Sequence, residues 1–226
     1  MPQSQSLPPS HASAEPGHAN AARSAEILGL IRSAFAQKGF DGTSMSDLAR
    51  EAGISAGNFY RYFPSKLAII DALVAQDIEE IRSRFEQTIA APDPLAALRA
   101  SIAGYIHEIC DDDCRLMAEI AATALRQSEV ANTCARVEET ATGLMVEVFG
   151  LATGLGPEDC HARFHPHARA IALIVRGYLQ RSDLTPDPAL QALLLRSINI
   201  LLDDIACLSP VPLRIDPCVP LSCPSR

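Results

Sequence analysis

Tryptophan is absent from this 226-residue chain, and the aromatic side chains are few, seven phenylalanines and four tyrosines. Basic residues are also in short supply: 19 Lys and Arg stand against 27 Asp and Glu, a formal charge of −8. No apolar run approaches the roughly 18 residues that a membrane span needs, so no membrane partner is expected. The opening segment, MPQSQSLPPSHASAEPGHANAARSAE, lacks a basic stretch followed by an apolar one and does not read as a secretory signal. Seven cysteines, an odd number, suit a disulfide framework poorly and are expected to be reduced thiols in the cytoplasm. Nucleophile elbow, phosphate loop and His-Glu zinc motif are all missing, so we expect no enzyme and no cofactor. Strand-like alternation and internal repeats are missing too. The acidic balance by itself counts against nucleic acid as a partner, but its distribution reverses that reading.

Helical periodicity fills what remains. Residues 1–20 hold four prolines and no β-branched side chain, and read as a disordered leader. Residues 209–226 hold five prolines and read as a tail without helix or central strand. Between them the apolar spacing predicts nine helices and no sheet: an all-α fold. The first carries Ile27, Leu30, Ile31, Ala34 and Phe35 and stops at Gly39; short helices follow over about 45–52 and 56–62. Longer ones run over 66–90, 95–110, 114–127, 130–151, 166–181 and 188–208. Domain boundaries are placed at 21–72 and 73–208.

Residues 43–66, TSMSDLAREAGISAGNFYRYFPSK, carry the most information. Ser44 and Asp47 have capping-box spacing, Leu48, Ala49 and Ala52 supply a buried face, Gly53 turns the chain, and Ser55 caps the next helix. Two short helices joined by a tight glycine turn form a helix-turn-helix. In the second of them Phe59 and Phe63, four apart, point inward. Ser55, Ala56, Gly57, Tyr60 and Arg61 occupy the other side, with Tyr62 at the edge. Small residues let a backbone approach a duplex closely, tyrosine hydroxyls bond phosphate or base edges, and arginine pairs guanine bidentately. Lys66 opens the following helix, where a cation is mildly unfavourable unless it meets a phosphate.

These stretches, FAQKGFDGTSMSDLAREAGIS and GNFYRYFPSK above all, resemble the DNA-binding domain of the TetR (tetracycline-repressor) family over residues 26–73. The resemblance implies phosphate contacts from Thr43, Ser44 and Ser46. It implies that Ser55, Ala56, Gly57, Tyr60, Arg61 and Tyr62 face the major groove or its rims, and that Lys66 holds a phosphate. Ala56 departs from members that carry a base-contacting Lys, Arg or Thr there, which shifts readout toward Arg61 and the tyrosines. The implied function is a ligand-released repressor, binding a palindromic operator as a homodimer and answering to a small-molecule effector. The alternative is a helical small-molecule-binding protein or enzyme without DNA binding, which would leave Tyr60, Arg61 and Lys66 unexplained.

By the same resemblance the rest of the chain is the sensing and dimerising body. Tyr105, His107, Met117, Glu119, Ile120, Leu144, Met145 and Phe149 are candidate pocket lining. Wide apolar stripes, Ile171, Ile174, Val175 and Tyr178 on one helix and Leu190, Leu194, Ile198 and Leu201 on the next, are candidate dimer contacts. His107, Cys110 and Cys114 have metal-like spacing, but Asp111–Asp113 read as a helix end followed by a new cap. Cys160, His161, His165 and His167 are expected in a loop, and Cys218 and Cys223 as exposed thiols; no metal is assigned. Residues 1–72 carry six basic and six acidic side chains, so the whole −8 falls on 73–226.

Overall fold

The computed structural model describes residues 16–181 and 183–207; the expectations for 1–15, for the proline-rich tail and for Cys218 and Cys223 lie outside them. Among the described residues there are nine helices and no strand: α1 Pro16–Lys38, α2 Met45–Glu51, α3 Ala56–Tyr62, α4 Lys66–Ile89, α5 Pro94–Glu108, α6 Asp111–Ala124, α7 Ser128–Thr153, α8 Pro157–Leu179 and α9 Pro188–Ala206. Local chemistry sets most ends. Asp93 and Asp187 accept from the backbone N–H three residues on, each followed by a proline at the first helical position, where its missing N–H costs nothing. Gly39, at φ +75°, closes α1 in the left-handed region. No helix among the described residues is long and apolar enough to cross a membrane.

Two helix starts differ most from the sequence reading. Helix α1 starts at Pro16, inside the stretch expected to be leader, with proline again at a helix beginning. Helix α8 starts at Pro157 and runs through Pro166. Cys160, His161, His165 and His167 therefore lie on a helix and not in a loop. Their partners are ordinary ones. The buried Cys160 thiol meets the Val146 carbonyl at 3.3 Å, His161 stacks on His165 at 4.4 Å, and His167 Nε2 lies 3.7 Å from the Asp204 carboxylate.

The chain divides into two compact units, and the division is not where the sequence placed it. One unit comprises residues up to Gln76 together with Cys110–Thr133; the other comprises Asp77–Ile109 and Cys134 onward. In the first, α1 packs against α6 and α2, and α2 against α3. Its core holds Ile27, Ile31, Phe35, Leu48, Phe59, Phe63, Ile69, Leu73, Leu116 and Ile120. In the second, α9 packs against α5 and α8, around a core that includes Leu98, Ile106, Phe149, Phe164, Ile198 and Leu202.

Phe149 and Phe164 meet edge to face, centroids 6.2 Å apart, and both are sealed from solvent. Phe149→Ala is expected to lower the unfolding free energy by about 3–5 kcal/mol through lost transfer energy and a residual cavity, read as a lower urea midpoint at unchanged slope.

Candidate nucleic-acid interface

The helix-turn-helix is held by its caps. Ser44 Oγ accepts from Asp47 N–H at 3.1 Å, while Asp47 Oδ2 accepts from both the Ser44 N–H (3.1 Å) and hydroxyl (2.5 Å). Arg50 reaches back to the other carboxylate oxygen at 2.6 Å. The Ser44 bonds, with Arg50 adding to them, hold the Asp47 carboxyl down at about 2. At the far end of α2, Gly53 takes φ +67°, and the Ile54 N–H returns to the Ala49 carbonyl at 3.1 Å, closing the turn. Ser55 then caps α3 through the Asn58 N–H at 3.3 Å.

Helix α3 presents the two faces its sequence implies. Phe59 and Phe63 are buried with ring centroids 5.5 Å apart. Ser55, Ala56, Gly57, Tyr60 and Arg61 are exposed, Tyr60 at 48%, and Tyr62 is half-buried with its ring 6.3 Å from that of Phe63. Open space surrounds the position a Cβ on Gly57 would take. The exposed side of α3 thus carries a bare backbone, a phenol and a guanidinium.

Three residues expected at phosphates are placed differently. Thr43 is 1% exposed, and its hydroxyl donates to the Gly39 carbonyl at 2.7 Å. A buried hydroxyl that bonds its own turn does not reach a duplex. Ser44 is exposed, but its hydroxyl and N–H are both engaged in the capping box. Lys66 Nζ donates to the Phe40 carbonyl at 2.6 Å and sits 4.9 Å from the centre of the Phe40 ring. An ammonium carries three donors, so this bond leaves two. Ser46 is exposed. Lys38 of α1 pairs with Glu51 of α2, which draws the Glu51 carboxyl below its usual range. Sequence reasoning missed Phe40 and Glu119 as parts of this region, because no local spacing links residues 79 positions apart.

Residues 27–73 match the family model for bacterial regulatory proteins of the tetR family. The chain is 33% identical over 105 residues to the HTH-type transcriptional regulator UidR of Escherichia coli, a match covering 46% of this chain and 53% of UidR. It is 38% identical over 82 residues to the HTH-type transcriptional regulator EthR of Mycolicibacterium smegmatis, covering 35% of this chain and 38% of EthR. The chain therefore spans about half the length of UidR and less of EthR. Among solved structures, Salmonella enterica GusR superposes with a TM-score of 0.66 at 25% identity, over 85% of this chain and all of GusR. Over residues 27–73 this chain is similar to the tetR family.

The residues expected to line one pocket are divided between the two units. Met117, Glu119 and Ile120 lie in α6, in the unit that holds the helix-turn-helix. Ile120 is buried there, and Glu119 accepts from the Phe40 N–H at 2.9 Å. In the other unit Met145 and Phe149 are core, Leu144 is half-buried, and His107 is exposed near the end of α5. Tyr105 packs under the Arg84 guanidinium, 5.5 Å from its ring centre. An open groove of about 640 Å³ lies instead between α5 and α9, floored by Ala96, Ala100, Ala103 and Leu195. Arg99 crosses it, bonded to Asn199 and Asp203. His107, Cys110 and Cys114 share no helix face, because α5 ends at Glu108 and Cys110 caps α6.

The expected dimer stripes are mostly core as well. Ile171, Tyr178 and Ile198 are buried, and Ile174, Val175, Leu194 and Leu201 pack against the same core. Of the eight, only Leu190 is exposed. On these two helices the exposed large apolar side chains are Leu173 of α8 and Leu190, Leu193 and Ile200 of α9.

Asp47 titrates from 3.8 toward about 2 on folding, so its contribution to stability is full above pH 3.8 and disappears as pH falls toward 2. Thermal midpoints measured from pH 5 to pH 2 are expected to fall less steeply in Asp47→Asn, with the two proteins converging at the acid end.

Proposed function

We propose that the chain is a one-component transcriptional regulator, a repressor that binds duplex DNA through α3 in the major groove. The observation that carries this reading is the two-faced α3. Phe59 and Phe63 anchor one side in the core, and the other side holds an N-terminal turn of Ser55, Ala56 and Gly57 beside Tyr60 and Arg61. Backbone N–H groups at the start of such a helix donate to phosphate oxygens, and Arg61 suits a guanine edge. Ser46, Tyr62 and the two unused Lys66 donors complete the surface. The names of UidR and EthR as transcriptional regulators support the same assignment. Protein carrying out this role acts in the cytoplasm, where the chromosome is.

A homodimer reading two half-sites follows from the geometry of such motifs, since one helix covers only a few base pairs. Leu190, Leu193 and Ile200 recur at i, i+3 and i+10 on α9 and lie on one face, and the last two are 56% and 57% exposed. With Leu173 of α8 they form the surface we assign to the twofold contact. An effector would act by binding one arrangement of the dimer better than another, and the α5–α9 groove suits a small, largely apolar molecule.

Affinity for a duplex selected from a random pool is expected to fall by about 0.9 log units per log unit of salt for each phosphate contacted. Arg61→Ala is expected to cost about 1–3 kcal/mol on the same duplex. Wild-type protein that selects no duplex, or Arg61→Ala that binds as wild type does, supports the small-molecule-binding alternative instead. Leu193→Glu with Ile200→Glu is expected to shift sedimentation from dimer to monomer while helicity is kept.

A further inference from the structure

One residue in the unit comprising residues up to Gln76 and 110–133, Phe40, is gripped at both of its backbone polar groups. The Phe40 N–H donates to Glu119 Oε2 of α6 at 2.9 Å, and the Phe40 carbonyl accepts from Lys66 Nζ of α4 at 2.6 Å. A carboxylate at the N–H and an ammonium at the carbonyl each suit the partial charge of the backbone group they meet, in the two peptide groups that flank Phe40, and hydrogen bonds to charged partners are the strong ones. The Phe40 ring is buried, 4.9 Å from the Lys66 nitrogen and 5.5 Å from the Phe35 ring. Next to it Gly39 has φ +75°, and a Cβ there would lie 3.0 Å from the same Glu119 oxygen. The approach of Glu119 is therefore close as well as bonded. Further along the turn, Arg126 pairs with Asp41 at 3.0 Å, and Thr43 bonds the Gly39 carbonyl.

These contacts converge on residues 39–43, which feed directly into Ser44, the cap of α2. We propose that Glu119 is a positioning residue for DNA recognition: from α6 it fixes the turn that aims the start of α2, and with it Ser46, at the duplex. The inference rests on the DNA-binding reading above. Glu119 touches no DNA in this scheme. It acts through Phe40, and Lys66 is the opposing half of the clamp. The bond requires an acceptor oxygen at full side-chain reach and does not require the negative charge.

The test uses full-length protein and the duplex that wild type selects from a random pool, with binding followed by anisotropy across a salt series. Glu119→Ala, folded by circular dichroism, is expected to bind about tenfold more weakly. Its salt slope should match wild type, because no Lys or Arg contact to phosphate has gone. Glu119→Gln keeps the acceptor and should bind within about threefold of wild type. Glu119→Asp keeps the charge but withdraws the oxygen, and should be as weak as Glu119→Ala. Amide exchange at Phe40 should quicken in Ala and Asp and stay slow in Gln. If Glu119→Ala does not fold, the Asp and Gln pair decides. Wild-type affinity in Asp, weak binding in Gln, or a slope reduced by one phosphate overturns the proposal. Wild-type protein that selects no duplex overturns the DNA-binding reading and this inference with it. A duplex bound equally by wild type and Glu119→Ala overturns this inference alone.

Discussion

Helices of seven residues do not persist alone in water, because nucleation costs more than so few hydrogen bonds return. Both α2 and α3 have that length. Burial of Phe59 and Phe63 is what keeps α3 in place. With Leu48 and Ala49 of α2 they join the core that Ile31 and Phe35 of α1 help to form. Two phenylalanines withdrawn from water are worth several kcal/mol, at about 25 cal/mol per Å² of apolar area, and they orient α3 as well as stabilise it. Every polar feature of the interface follows from that orientation. Tyr60 and Arg61 are outside because Phe59 and Phe63 are inside.

What was legible in the sequence is what a few neighbouring residues decide. The capping box of Ser44 and Asp47, the Gly53 turn, the Ser55 cap and the two faces of α3 each rest on spacings of three or four residues, and each is present in the structure. Bonds between distant residues were not legible. Nothing within residues 39–43 says that Thr43 turns inward to the Gly39 carbonyl, or that Phe40 is held by residues 26 and 79 positions away. Pro166 misled for a related reason. Proline is disfavoured in a helix interior, yet the exposed side of α8 accommodates it. On α8 and α9 the apolar residues are so numerous that period alone could not separate the core face from the outer one. Tertiary packing took Ile171, Tyr178 and Ile198 inward and left Leu173, Leu193 and Ile200 outside.

The charge distribution also needs redrawing. Division at residue 72 put all of the −8 beyond the helix-turn-helix. The unit that contains the motif also contains residues 110–133, and so counts eleven acidic side chains against eight basic ones. Most of the added acidity is Asp111, Asp112 and Asp113 at the start of α6, two of which meet α1 through Arg32 and Ser33. Negative charge at a helix N-terminus is favourable on dipole grounds. On the DNA-binding reading proposed above, a net acidic unit would hold non-specific DNA weakly, which would place more of the binding on Tyr60 and Arg61.

The unit that reads as the DNA-binding head is written in two pieces of chain, separated by 77–109. Its second piece supplies Cys114, Leu116 and Ile120, buried side chains of the helix that α1 packs against. A fragment ending near residue 76 would leave that face of α1 wet and the Phe40 N–H without its acceptor. Grafting this unit onto another protein's body is therefore a matter of transplanting two segments, the second enclosed within the recipient's own sequence, and a single splice after the helix-turn-helix would carry α3 without the helix that covers α1.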